Sequence, residues 1–262
     1  MQLSNPNAFP NYKGKHSQFN SMTQKSLRVA LLGGTGAPYL GYVLRQLLMD
    51  EIPIAGIIIA SQAWGEKEQR IHEERTAGRL PLLPYDTFSE HAIPFYFVKD
   101  HRSAETVNIV QSQSFDLLVI AGAPRILKGD ILNAASVGVI NSHPGLLPKF
   151  RGCTCVEWAL YLNEQIGNTV HFVNEKIDEG PIILQEGMYF ERDDNYIDVR
   201  VKVFLQSTVL LSKAVRKIMI EGLSPQKLSS QPKDGQYFSV IDTDKMQIAI
   251  NRLTEKTYAF QR

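Results

Sequence analysis

From Leu27 onward, short apolar runs alternate with stretches whose apolar residues recur at helical spacing. Val29-Ala-Leu-Leu32 has the length and composition of a buried strand. Leu40, Val43, Leu44, Leu47 and Leu48 then repeat three and four residues apart, which predicts a helix. Ile54–Ala60, Phe95–Val98, Leu117–Ala121 and Val139–Ile140 read as further strands. Near-continuous apolar strands alternating with helices predict an α/β fold, with a mostly parallel sheet covered by helices on both faces. Later in the chain, Asn195 can cap a long helix from about Tyr196 to Glu221. Its apolar stripe is Ile197, Val201, Phe204, Leu211, Val215 and Ile218, and Gly222 is a plausible stop.

The segments around this core read differently. Residues 1–26 hold no acidic residue and no apolar run, so a disordered polar tail is expected rather than a secretory signal. Ser61 to Tyr85 is crowded with charge, including Glu66, Lys67, Glu68, Arg70, Glu73, Glu74 and Arg75. A solvated helix is the plainer expectation, and a mobile insertion bordering a substrate pocket is the alternative. Residues 223–262, with Asp234-Gly235 as a turn signal, read as a small extension packed on a main domain of residues 27–222.

Composition narrows the function classes. There are 28 Lys and Arg against 27 Asp and Glu, so nothing electrostatic calls for DNA or tRNA as the main partner, although a local basic patch stays open. No run approaches the roughly 18 apolar residues of a membrane span. Cys153 and Cys155 are too few for a complete zinc site and too close for an ordinary disulfide. They suggest reduced thiols in a cytoplasmic protein.

Candidate chemistry sits at the end of the Val139–Ile140 strand, where open α/β sheets gather their ligands. Asn141 and His143 lie in Val139-Ile-Asn-Ser-His-Pro-Gly-Leu-Leu-Pro-Lys-Phe-Arg-Gly152, and Asp178 lies in His171-Phe-Val-Asn-Glu-Lys-Ile-Asp-Glu-Gly-Pro-Ile-Ile183. An amide and an imidazole can donate to a developing oxyanion, and a carboxylate can orient the imidazole or relay a proton. Together these are what moving an acyl group onto an amine requires. A second candidate is Gly33-Gly-Thr-Gly-Ala-Pro-Tyr39, an incomplete glycine-rich turn. It suits a phosphate or a tight strand-to-helix connection equally, and marks Gly34, Thr35, Gly36 and Tyr39 as candidate substrate contacts. His171 could face the site or be structural. His16, His72, His91 and His101 read as surface residues, and Trp158 as a residue packing a helix on the sheet.

Ala121-Gly-Ala-Pro-Arg-Ile-Leu127, the Asn141–Gly152 segment and Val170 through Pro181 resemble, in order and spacing, the folate-dependent formyltransferases. The resemblance covers roughly residues 27 to 222. It implies a Rossmann-like sheet and 10-formyltetrahydrofolate as formyl donor, with no metal. It carries the family's catalytic Asn, His and Asp onto Asn141, His143 and Asp178, and its pterin contacts onto Arg125, Ile126, Leu127 and the loop at Ile177. Gly145 stands where the family often has Ser.

Within that family the acceptor differs. The Gly34–Tyr39 turn departs from the Gly-x-Gly-Ser-Asn loop of glycinamide ribonucleotide transformylases. About forty residues follow Gly222, shorter than the C-terminal domain of methionyl-tRNA formyltransferases. The layout is most similar to the sugar-nucleotide N-formyltransferases, so a small, nucleotide-linked amine is the expected partner ahead of tRNA. A homodimer stays open. Hydrolysis of the same folate, or folate binding without catalysis, are the alternatives of another class.

Overall fold

The computed structural model describes residues 27–61, 65–83, 88 and 91–262. The expected tail at residues 1–26 lies outside them. Seven strands form the main sheet: β1 (Val29–Gly34), β2 (Ile54–Ala60), β3 (Phe95–Val98), β4 (Leu117–Ile120), β5 (Gly138–His143), β7 (Gly167–Phe172) and β8 (Ile182–Gly187). Their order is β3-β2-β1-β4-β5-β7-β8. The first five are parallel, and β7 and β8 join antiparallel. A small second sheet pairs β6 (Phe150–Gly152) with β9 (Gln236–Phe238). The helices are α1 (Pro38–Met49), α2 (Glu66–Thr76), α3 (Ala104–Ser112), α4 (Cys155–Leu162), α5 (Tyr196–Glu221) and α6 (Thr243–Thr254).

The apolar runs become strands because both of their faces are covered. Leu31, Ile57, Ile59 and Val119 pack beneath Leu40, Val43, Leu44 and Leu47 of α1 and Leu211, Ala214 and Val215 of α5. Ala30, Leu32, Ile58 and Leu118 face the other way, onto Val110 of α3 and Ile131 and Leu132. This is the mostly parallel, doubly covered sheet that the alternating pattern predicts. α5 starts where expected: Asn195 accepts from the amides of Ile197 and Asp198, and Asp198 accepts from the amide of Asn195. At its end Gly222 takes the left-handed conformation at φ 60°.

Four sequence expectations change. β5 runs on through Asn141 to His143, because those polar residues pair with β7, Asn141 opposite His171. Trp158 does not pack on the main sheet. Its ring lies 5.0 Å from that of Phe238 and its Nε1–H donates to the Ser239 carbonyl at 2.8 Å, so it fastens α4 to the C-terminal segment. His101 is buried at 2% exposure, with Nε2 3.1 Å from the Ile58 carbonyl within β2. His72 is half-buried, with Nε2 2.8 Å from the Leu80 carbonyl, whereas His91 is exposed and His16 lies outside the described residues.

The charged segment forms α2, most of which is exposed. It is tied to the body by Arg75 to Glu157 at 3.8 Å, and just beyond its end by Arg79 to Asp198 at 2.6 Å.

Candidate active site

β4 and β5 end side by side, and their last residues divide two cavities. One, of about 300 Å³, is walled by Ala123–Leu127 on one side and by Val173, Asn174 and Lys176–Asp178 on the other. The second, of about 270 Å³, is walled by Tyr39, Ser142, Pro144, Arg200, Val203, Phe204 and Ser207. Ile120, Ala123 and Asn141 line both. Of these three only Asn141 has a polar side chain, so a group in either cavity meets the same amide.

The first cavity gathers every residue named for the folate. Arg125, Ile126, Leu127 and Ile177 all line it. Ile126 is 58% exposed and Ile177 36%, an apolar pair held at the mouth rather than buried. Exposed apolar pairs of this kind suit a flat heteroaromatic ring. Arg125 lies 3.7 Å from Asp100, so its head is held at the rim.

His143 is 4% exposed and lines neither cavity. Its Nε2 is 2.7 Å from the Phe150 carbonyl, which can only accept, so Nε2 carries the hydrogen. A Cβ on Gly145 would stand 2.8 Å from both partners, so the missing side chain is what leaves room for this bond. Nδ1 faces Asp178 Oδ2 at 3.4 Å, too long for a tight hydrogen bond and the freer edge of the ring. Asp178 also accepts from the Gly152 amide at 2.9 Å. Its backbone is left-handed, φ 55°, a conformation that a non-glycine residue adopts at a cost.

His171 reaches the same carboxylate, with Nε2 3.6 Å from Oδ1. Its Nδ1 is 2.8 Å from the Phe172 carbonyl, which places the hydrogen on Nδ1 and leaves a lone pair on the buried, unpartnered Nε2. Burial lowers its pKa to about 4; Asp178 opposes that shift, and the neighbouring His143 adds to it. Of the two readings left open for His171, it faces the site and does so as a neutral ring.

The glycine-rich turn is built differently. The amides of Gly34, Thr35 and Ala37 bond to the carbonyls of Gly122, Ala60 and Gly34, and the Thr35 hydroxyl also donates to Ala60. Gly36 borders a third cavity of about 720 Å³, whose far wall carries His72, Glu73 and Glu74 of α2. Only Tyr39 of the four candidates lines a cavity with Asn141. Its hydroxyl is 2.8 Å from Ser207 Oγ, and burial raises its pKa to about 12.

Two parts of the site carry no signal in the sequence. Gln231 donates through Nε2 to the carbonyls of Asp178 at 3.0 Å and Gly180 at 2.6 Å. Its Oε1 accepts from Arg151 Nη2 at 3.0 Å. The C-terminal segment thereby braces the Asp178 loop. Arg200 is the other. Nothing in the local pattern marks either residue, because their partners lie far away along the chain. Among the described residues, no cluster of three or more His, Cys, Asp or Glu could hold a metal ion.

A sequence profile described as "Formyl transferase" matches residues 28–215. The chain is 32% identical over 139 residues to a methionyl-tRNA formyltransferase of Chlorobium limicola, a match covering 53% of this chain and 43% of that relative. The chain thus spans less than half the length of that curated relative. Among solved structures, glycinamide ribonucleotide transformylase 1 from Symbiobacterium toebii superposes with a TM-score of 0.57 at 24% identity, covering 79% of this chain and 94% of that one. A sugar N-formyltransferase from Shewanella sp FDAARGOS_354 gives 0.56 at 17%, covering 86% and 87%. At these identities the structures share the fold. The profile covers well over half of the chain, and the chain belongs to the formyl transferase family.

Proposed function

We propose that this member of the formyl transferase family moves a formyl group from 10-formyltetrahydrofolate to a primary amine of a small substrate, with a nucleotide-linked amino sugar as first choice. The observation that carries the reading is Asn141 in the shared wall of two cavities, with Asp178 lining one of them. A formyl donor in the cavity of Ile126 and Ile177 and an amine in the cavity of Tyr39 and Phe204 would meet at that amide.

When bound, the folate supplies an activated formyl carbon. Asn141 donates to the formyl oxygen as it gains negative charge; one such donor is worth about 2.7–4 kcal/mol in the transition state. With its Nε2–H kept on the Phe150 carbonyl, His143 adds a second donor only as the imidazolium, through an Nδ1–H on the edge that faces Asp178 at 3.4 Å and that closes on the formyl oxygen in the reacting complex. Asp178 takes a proton from the attacking nitrogen, directly or through water; the bond from the formyl carbon to N10 then breaks, and that proton passes to N10 of the departing tetrahydrofolate, with neutral His171 beside the carboxylate as a hydrogen-bond acceptor on Nε2.

The choice of acceptor is supported by the similar coverage of this chain and the sugar N-formyltransferase in their superposition. A second reading, methionyl-tRNA as acceptor, is favoured by the curated sequence relative. A reducing, cytoplasmic setting agrees with two free thiols and with a substrate of this kind.

The test is a screen with 10-formyltetrahydrofolate as donor against sugar-nucleotide amines, glycinamide ribonucleotide, methionyl-tRNA and no amine, following released tetrahydrofolate and formate. The reading predicts tetrahydrofolate release that depends on the amine, fastest with a sugar-nucleotide amine. Formate release at the same rate without an amine would replace it with hydrolysis.

A further inference from the structure

The cavity assigned to the amine has one charged side chain among its lining residues, Arg200 of α5. Arg200 is 19% exposed, and a guanidinium has five N–H donors to place. Its one ionic contact among the described residues is Nη1 to Glu157 Oε1 at 3.3 Å. Nε is buried without a partner. Glu157 itself is fully buried on α4 and serves two cations: Arg75 of α2 reaches the same oxygen at 3.8 Å. The Tyr196 hydroxyl donates to that oxygen as well, at 2.7 Å. Burial pushes the Glu157 carboxyl up, but Arg200, Arg75 and Tyr196 together outweigh it and hold the group below its ordinary range. The result is one carboxylate between two guanidiniums, and a net positive charge at the cavity wall.

Among the described residues, no acidic side chain lines this cavity. The remaining walls are apolar or neutral: Phe204 and Val203, and the hydroxyls of Tyr39 and Ser207 bonded to each other. Asp178 lines the other cavity. A guanidinium held from behind by a buried acid through Nη1, with its Nε enclosed and its outer edge lining the cavity, matches an oxyanion.

We propose that Arg200 is an anion subsite: a phosphate-type oxyanion carried by the acceptor docks on its free guanidinium edge and turns the amine toward Asn141. The assignment of the anion to the acceptor rests on the formyl-transfer reading. The subsite itself does not. It also gives α2 a task, because Arg75 helps hold the acid that aims Arg200.

The test uses the full chain, as wild type, Arg200→Gln and Arg200→Lys, with thermal melts to show that each is folded. Calorimetric titration with inorganic pyrophosphate and with a nucleoside diphosphate should show binding that weakens roughly ten- to a hundredfold in Arg200→Gln, the loss of one charge-assisted contact. Arg200→Lys, which keeps the charge and loses the fork, should fall between. In turnover, KM for a sugar-nucleotide amine should rise by a similar factor with little change in kcat, while the same amino sugar freed of its nucleotide is unaffected. Equal pyrophosphate affinity in wild type and Arg200→Gln overturns the subsite, as does a KM change shared by both acceptors. Arg200-dependent pyrophosphate binding without formyl transfer to any amine leaves the subsite standing and removes the formyl-transfer reading instead.

Discussion

The turn after β1 and the end of β5 both carry residues that chemistry could use, and both lie at carboxyl ends of parallel strands. At Gly34–Ala37 three amides and a hydroxyl are spent on the neighbouring carbonyls of Gly34, Ala60 and Gly122. At β5 the Asn141 amide faces two cavities, and Asp178 holds a carboxylate against two imidazoles. The difference teaches that a motif marks a site only when its polar groups remain unspent after the fold is built. Three amides of the glycine-rich turn are spent on the fold and Gly36 borders a separate cavity, while the unspent amide at the end of β5 is available to a ligand beside Asp178.

The contrast can be broken by substitution. Asn141→Ala and His143→Ala should each lower kcat about 10²- to 10³-fold, with folate affinity held, as measured by single-turnover transfer and by folate titration. Near-normal turnover in either would remove that residue from the chemistry.

His171 sharpens the comparison through pH. Its folded pKa lies below the ordinary value of 6.5, so the unfolded chain binds the proton first as pH falls. Stability should therefore decline from about pH 6.5 down to about pH 4 and level off below, by up to ~3 kcal/mol from this group. Denaturant titrations of wild type and His171→Gln should differ in slope across that window and run parallel above it.

Gln231→Ala should lower kcat about tenfold, a loss of roughly 1–1.5 kcal/mol from one freed brace on the left-handed Asp178 loop. KM for the folate should stay level, and Gln231→Glu, which keeps the acceptor for Arg151 but loses the donor to the loop, should behave like Ala. The smallest effect belongs to the other turn. Thr35→Val should change kcat/KM less than about threefold, since its hydroxyl is spent on the Ala60 carbonyl. A large loss there would restore the turn as a substrate site.

The strands were legible because Val29–Leu32 and Ile54–Ala60 are uninterrupted apolar runs, and α5 because its capping box and stripe are both local. Asn141, His143 and Asp178 were legible only as motifs, since no single one of them departs from an ordinary turn or surface residue. What escaped depends on distant partners. Trp158 finds Phe238, His101 finds the Ile58 carbonyl, and Gln231 finds the Asp178 loop. α3 escaped for another reason: only Thr106 and Val110 of its nine residues are buried, which leaves too thin a stripe to read.

The most direct measurement is a crystal structure of the full chain with a stable folate such as 5-formyltetrahydrofolate. The account predicts the pterin between Arg125–Leu127 and Ile177, with the N10 side of the folate turned toward Asn141 and the cavity of Arg200 left open beyond it. A folate bound against the Gly34–Gly36 turn, or with its N10 side facing away from Asn141, would contradict it.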